Sequence, residues 1–353
     1  MLILAIMLAL VLGFAAHRAS VCTVRAVAEI MHSRRAYMLV SIGKSVLWVW
    51  AVMIPVFWLA LPADLSGWSL TGPAMFAGFV FGLGAAINGG CAFSTMARFV
   101  DGDGRMLAAI VGFAIGILGF DALAERQWLP RPASAPALIG SLLPWAMVPA
   151  LAIVAWALYE AVRLWRTRPP ATHFADLALA ARYRLSSAAL LIGLCGAGLY
   201  LMYGPFGYTS TFALLVLGVF GDWPPTPRWV LLIAVLAGML LSTLQRGSFR
   251  IDWWPQPRWL ANLAGGLCMG FGTALAPGGN DTLILYGIPI LSPYAMPTFA
   301  TLALGVAAGL IMLRSWFGIE ARVECRNDTF VTDTWARPIP APTTFNPPGR
   351  VHE

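Results

Sequence analysis

Lysine is nearly absent from this sequence. Lys44 is the only one in 353 residues, and charged residues of all kinds make up 11% of the chain. A soluble domain carries roughly 25% charged residues, so this scarcity excludes an ordinary soluble fold. The 59% apolar content and mean hydropathy of +0.75 turn that exclusion into a positive reading, a polytopic membrane protein. The formal charge of +7 is carried almost wholly by arginine. In a membrane chain this balance reads as topology and an affinity for small anions, and no nucleic-acid partner is expected. The five cysteines show no CxxC or other metal-ligand spacing, so no metal is expected, and their odd number argues against a complete disulfide framework. No Walker motif is present, which speaks against ATP hydrolysis by this chain, and no cofactor signature stands out. The first residues are apolar from Leu2 onward without a basic leader, so no removable signal peptide is expected.

Long apolar runs make up most of the chain. Hydropathy predicts an all-α protein with about nine spans, near 2–16, 36–61, 72–88, 104–123, 138–165, 184–203, 228–245, 259–276 and 296–317. Four shorter apolar segments lie between them, at 19–31, 91–100, 208–220 and 280–290. About ten residues of helix reach roughly 15 Å, half a bilayer. Three of the four follow glycine-rich breaks, "NGGC", "GPFG" and "PGGN". This pattern predicts re-entrant helices, because irregular backbone at membrane depth survives only where it lines a protein cavity. Arginines cluster in alternate loops: Arg18, Arg25, Arg34 and Arg35; Arg98 and Arg105; Arg163, Arg166, Arg168, Arg182 and Arg184; Arg246, Arg250 and Arg258. Arg126, Arg131 and Arg228 fall on the other side, which predicts an outside N-terminus and a cytoplasmic C-terminus in a bacterial inner membrane. The proline-rich tail from Glu320 to Glu353 is expected to be poorly ordered.

An internal repeat is expected. "GFAAHRASVCT" from Gly13 aligns without gaps on "GLYLMYGPFGY" from Gly198, an offset of 185; "NGGCAF" from Asn88 aligns on "PGGNDT" from Pro277, an offset of 189. The letters agree poorly, but the order span, half-helix, two spans, half-helix, span recurs on both sides of the fifth span. An odd linking span inverts the second half, giving a pseudo-two-fold repeat of the kind used by transporters, with the site at the repeat interface. The expected organisation is a first repeat over 1–137, a linking span and basic loop over 138–183, a second repeat over 184–319, and the tail over 320–353.

This alignment places Cys22 opposite Gly207 and Cys91 opposite Asn280. A membrane cysteine is most often a small hydrophobe, which suits Cys195 and Cys268, while Cys325 reads as a plain tail thiol. Cys22 and Cys91 differ, because each begins a short helix directly after a break. Helix N-termini offer free N–H groups and a positive dipole end, and these activate thiols and attract anions. Gly90, Gly207 and Gly279 would let the backbone approach the path. Lys44 lies about 12 Å along its span, too deep for easy snorkelling, and an anion or Glu29 is the expected partner. Arg18, Arg25 and Arg98 flank the cysteines, as an anion vestibule or as contacts to lipid headgroups. Tyr203, Tyr208 and Asn280 stand at the outer breaks as hydrogen-bond donors. Asp281 would repel anions unless it caps its own helix.

These residues carry a resemblance. "HRASVCTVRA", "GLGAAINGGCAFSTMAR" and "GFGTALAPGGN" resemble the YeeE/YedE family of bacterial sulfur-transport membrane proteins, over Leu2 to about Phe317. The resemblance implies a pseudo-symmetric fold pinched at mid-membrane, with thiols along the path that hand thiosulfate on by S–H···S contacts and form no covalent bond. Residue by residue it marks Cys22 and Cys91. It also exposes a departure: the family often has a cysteine at the second-half break, where this chain has Asn280. An amide donates a stronger hydrogen bond than a thiol and suits an oxygen-rich anion. The leading expectation is a non-enzymatic importer of thiosulfate or a related sulfur anion. A soluble cytoplasmic sulfur-carrier protein is the partner implied by family analogy. The alternatives are an intramembrane thiol oxidoreductase or sulfurtransferase using Cys22 and Cys91, and a non-sulfur anion channel on the same scaffold.

Overall fold

The structure is a computed structural model that describes residues 1–59, 66–139, 147–167, 176, 180–219, 221, 223–254 and 258–336. In the first half, α1 (Leu2–Ala19), α2 (Thr23–Ser33) and α3 (Tyr37–Leu59) precede α4 (Gly72–Asn88), α5 (Ala92–Val100) and α6 (Arg105–Glu125). A helix α7 (Met147–Arg166) leads to the second half: α8 (Leu185–Tyr203), α9 (Tyr208–Gly218), α10 (Thr226–Arg246), α11 (Arg258–Leu275), α12 (Asn280–Gly287, its last five residues a π-helical turn) and α13 (Ala295–Phe317). Strands β1 (Ser66–Trp68) and β2 (Ser134–Pro136) pair antiparallel.

Among the described residues seven helical stretches are long and apolar enough to cross a membrane, or eight if α11 and α12, bent by 44° at their break, count as one span. This is fewer than the nine spans expected. The segment expected over 138–165 contains residues outside the described set, and its described part is residues 138–139 and the helix α7. Each of the four expected short segments contains a short helix: α2, α5, α9 and α12.

Helix packing follows a reciprocal pattern. α1 lies against α10 while α3 lies against α8, and α4 lies against α13 while α6 lies against α11; α4 also meets α11, and α1 meets α8. Without a hydrophobic drive between helices in lipid, such contacts depend on close backbone approach through small residues. The sequence supplies them at four-residue spacing: Gly112 and Gly116 on α6 facing Gly266 and Gly270 on α11, and Gly78 and Gly82 on α4 facing Gly305 and Gly309 on α13. A Cβ at Gly112, Gly116, Gly266 or Gly270 would strike a backbone carbonyl of the facing helix, at Leu263, Leu267, Ala109 or Phe113 respectively.

The tail expectation needs correction. Residues 320–336 are ordered as an antiparallel hairpin of β3 (Glu320–Arg326) and β4 (Thr329–Ala336), and 337–353 lie outside the described residues. Asn327 and Asp328 take left-handed φ of 48° and 61°, the pair of positive φ values that a tight two-residue hairpin turn demands. The turn is anchored at the start of α8: Asp328 O accepts from Leu185 N (2.6 Å) and its carboxylate accepts from Ser186 N (3.2 Å) and Ser186 Oγ (3.0 Å). On the inward face, Val323 and Cys325 are buried. Cys325 is therefore a packed core thiol and no longer a plain tail thiol. Burial pushes it up to about 12, and the neighbouring Glu29 adds to the shift. A thiol ionises near 8.5 in an unfolded chain, so the folded hairpin holds this proton more tightly and its stability falls as pH rises above that value. Maleimide should accordingly leave Cys325 unlabelled at pH 7.5 in folded protein and label it after denaturation. Rapid native labelling would show the hairpin to be open.

Candidate functional site

Four chain breaks converge to make the site. α4 ends at Gly89, whose φ of 75° is the left-handed conformation that glycine adopts without strain; Gly278, at 84°, does the same after α11. These two glycines stand 189 residues apart, the offset of the sequence alignment. Cys22, Cys91, Gly207 and Gly279 then occupy the N-cap positions of α2, α5, α9 and α12. The residues expected at the breaks are thus the residues that begin the short helices.

The two thiols meet. Cys91 N–H points at Cys22 Sγ with an N···S distance of 3.5 Å, and Cys91 Sγ lies 3.9 Å from Ser94 Oγ. Both cysteines are 1% exposed and neither is in a disulfide. Cys22 lines a cavity of about 50 Å³ together with Thr23, Phe93, Tyr208, Asn280 and Asp281. That is room for a few waters at about 10–15 Å³ each. An oxyanion of thiosulfate's size needs this cavity to widen. Its wall joins both halves of the chain: the Phe93 and Tyr208 rings meet edge-on at 5.4 Å, and Asn280 Nδ2 donates to Thr23 Oγ1 at 3.4 Å. Asn280 Oδ1 and Thr282 Oγ1 are buried with no hydrogen-bond partner among the described residues.

The glycines let these elements come close. A Cβ at Gly207 would land on Thr282 Oγ1 and lie 3.0 Å from Asp281 Oδ2; at Gly279 it would lie 3.0 Å from Thr209 and 3.1 Å from Phe81. At Gly90 it would lie 2.9 Å from the Ser94 Cβ. Asp281 reaches across to the other break: its carboxylate accepts from Thr209 N at 3.1 Å and from the Thr209 hydroxyl, which in turn accepts from Gly279 N at 2.9 Å.

The cations lie elsewhere. Lys44 is outside the thiol cavity, in a cleft with Arg163, Ser186 and Asp328, where its Nζ bonds Glu160 Oε1 and Ser186 Oγ, both at 2.8 Å. Glu29, the partner weighed from sequence, is engaged in accepting from Tyr37 N and Met38 N at the start of α3. Arg18 bonds Ser242 Oγ (2.9 Å) and Gln245 Oε1 (2.7 Å), and Arg98 bonds Asp103 (2.8 Å). Arg25, three residues beyond Cys22, pairs with Asp333 of the hairpin at 2.8 Å and lies over the Phe330 ring. Tyr203 closes α8 half-buried, ahead of the break at Gly204. Cys195 is buried in α8 and Cys268 half-buried in α11.

Sequence reasoning passed over two parts of this neighbourhood. Glu160 and Asp333 stand 116 and 308 residues from their partners, and no local signal ties them together. A second polar cluster joins His17, Asp101, Ser242 and Thr243: His17 Nδ1 meets Ser242 Oγ at 2.9 Å and Nε2 meets Asp101 at 3.3 Å. Burial alone would raise the Asp101 carboxyl, but hydrogen bonds from His17, Thr243 and Ser248 hold it below its ordinary value.

Compared with known proteins, the chain matches the family model described as sulphur transport over residues 18–308. A search of curated proteins finds no match. The matched stretch spans both thiols, both glycine-pair breaks and most of α13. The chain belongs to the YeeE/YedE sulphur-transport family of membrane proteins.

Proposed function

We propose that this protein imports thiosulfate, or a closely related sulfur anion, across a bacterial inner membrane without covalent chemistry. The observation that carries the reading is the thiol pair: Cys22 and Cys91 begin two short helices, sit in contact, and Cys22 opens onto a buried cavity shared by both halves of the chain. The soft terminal sulfur of thiosulfate is met by S–H groups, and its oxygens by N–H groups that begin α2 and α5. Each contact is weak, as a conducting path requires, since a tight site would trap the ion. Asn280 and Tyr208 supply polar contacts on the same wall, and the closeness that Gly90, Gly207 and Gly279 permit keeps the path narrow. Arg25 provides positive potential on the inner side of the thiols, with Arg18 and Arg98 further out. Lys44, held by Glu160 in a separate cleft, does not line this path.

The scaffold is read as an inverted repeat, with α1–α6 corresponding to α8–α13. The reciprocal packing supports this: exchanging the two halves turns the α1–α10 contact into α8–α3 and the α6–α11 contact into α13–α4. Residues 138–183 then carry a linking ninth span, the short helices are re-entrant, the N-terminus lies outside, and the hairpin lies in the cytoplasm, where a soluble sulfur carrier would collect the anion.

Growth of a bacterium lacking its other sulfate and thiosulfate importers tests the substrate. Expression of this chain should restore growth on thiosulfate, and absence of both growth and labelled uptake would reject the assignment. The contact between two free thiols also favours a second reading, an intramembrane thiol oxidoreductase. Mass spectrometry after thiosulfate exposure separates the two: stoichiometric persulfide or disulfide supports the enzyme, and unmodified thiols support transport.

A further inference from the structure

The wall of the thiol cavity carries a group that an anion path should not tolerate. Asp281 is 4% exposed, lines the cavity with Cys22 and Asn280, and forms no ion pair among the described residues. Its donors are all neutral: the Thr209 N–H and hydroxyl, and the backbone N–H groups of Asp281 and Thr282. Ionised and unpaired, it would repel a dianion across a water-poor cavity, and a lone charge at membrane depth is costly in any case.

The titratable groups around it do not neutralise it. Tyr208 shares the cavity, Tyr294 Oη donates to Pro277 O at 2.9 Å nearby, and the Cys22 and Cys91 thiols complete the set. Charged groups on the surrounding helices are held by other partners. His17 is held by Asp101, Arg18 by Ser242 and Gln245, and Arg25 by Asp333. Glu29 is held by the start of α3 and Lys44 by Glu160. On either side of Asp281, Asn280 Oδ1 and Thr282 Oγ1 are buried without partners among the described residues, so polar capacity for a moving proton is at hand.

We propose that Asp281 is a proton-binding site of the transport cycle, and that import is anion–proton symport. The carboxylate takes a proton from the outer water and becomes a neutral carboxyl. The anion then passes the thiols, and the proton leaves to cytoplasmic water as the carboxylate re-forms. No electrons move, and the charge carried inward is that of the anion less one for each proton. The inference rests on the import reading above and adds its driving force.

Proteoliposomes holding the full chain and a lumenal pH dye provide the test, with labelled thiosulfate as the probe. Added thiosulfate should acidify the lumen, and one unit of external acidity should raise accumulation by about tenfold per proton carried. Asp281→Asn, neutral at every pH, should lose the gradient response and the lumenal acidification together, while Asp281→Glu should retain both. If Asp281→Asn does not fold, the intact protein decides through its dye signal. Thiosulfate uptake by intact protein with neither acidification nor gradient effect overturns symport and leaves the import reading standing. A folded Asp281→Asn that still follows the gradient overturns the role of this residue. Failure of intact protein to take up thiosulfate under any gradient overturns the import reading and this inference with it.

Discussion

Cys91→Ala should cut thiosulfate uptake by about tenfold and leave the folded protein intact. The variant keeps the backbone N–H that faces Cys22 and the helix start that offers N–H groups to an anion, since neither depends on the side chain. It removes one S–H contact, and a hydrogen bond of about 1–1.5 kcal/mol converts to about tenfold in rate when it acts at the narrowest point. The cavity left by a sulfur atom costs on the order of 1 kcal/mol, too little to unfold the chain. Cys22→Ala should behave alike, and Cys195→Ala, on a thiol buried in α8 away from the cavity, should transport normally. Labelled uptake normalised to purified monodisperse protein separates a lost contact from lost folding. Equal uptake by Cys91→Ala and the parent would reduce the thiols to packing.

Gly270→Leu should have the largest effect on stability. Gly270 on α11 packs so closely on α6 that even a Cβ would strike the Phe113 carbonyl, and a leucine adds three carbons beyond that. Overpacking typically costs about 1–3 kcal/mol, and here the obstacle is backbone, which gives less readily than a side chain. The same displacement would pull α11 from α4 and shift the break that positions Asn280. The expected outcome is a large fall in detergent-extracted monodisperse protein and in melting temperature. Gly119→Leu, on the facing helix α6 but with open space at its Cβ, should be silent in both measurements. Comparable losses in the two variants would mean that helix hydropathy, not the crossing, set the result.

How much of this was legible in the sequence depends on the range of the signal. The breaks at Gly89–Gly90 and Gly278–Gly279 read directly, because a glycine pair ending an apolar run is a local event, and both ends fall where the letters place them. Cys91 followed from the first of those breaks and Cys22 from the break after α1, but their contact within the first half is a tertiary fact that no local signal gives. The four-residue glycine pairs of α4, α6, α11 and α13 were equally readable, but apolar composition hides them among many glycines. The hairpin was hidden by its neighbourhood: proline-rich residues beyond 336 gave the whole tail a disordered look, although Asn327–Asp328 between alternating apolar positions is a turn signal. Lys44 could be recognised as a buried cation needing a partner. Which carboxylate answers it is a tertiary fact, since Glu160 arrives from a helix 116 residues away. Asp281 shows the same limit: its own helix start was the local candidate and does donate to it, but the further donors on Thr209 at the other break leave no local signal.

Passage of the anion between Cys22 and Cys91 is the step on which import depends. A chain retaining only those two cysteines, with Cys195, Cys268 and Cys325 replaced by alanine, can be reconstituted and oxidised mildly so that the adjacent thiols join. Labelled thiosulfate uptake should stop as the disulfide forms and return when dithiothreitol reduces it. Undiminished uptake in vesicles where mass spectrometry finds the disulfide complete would contradict the account.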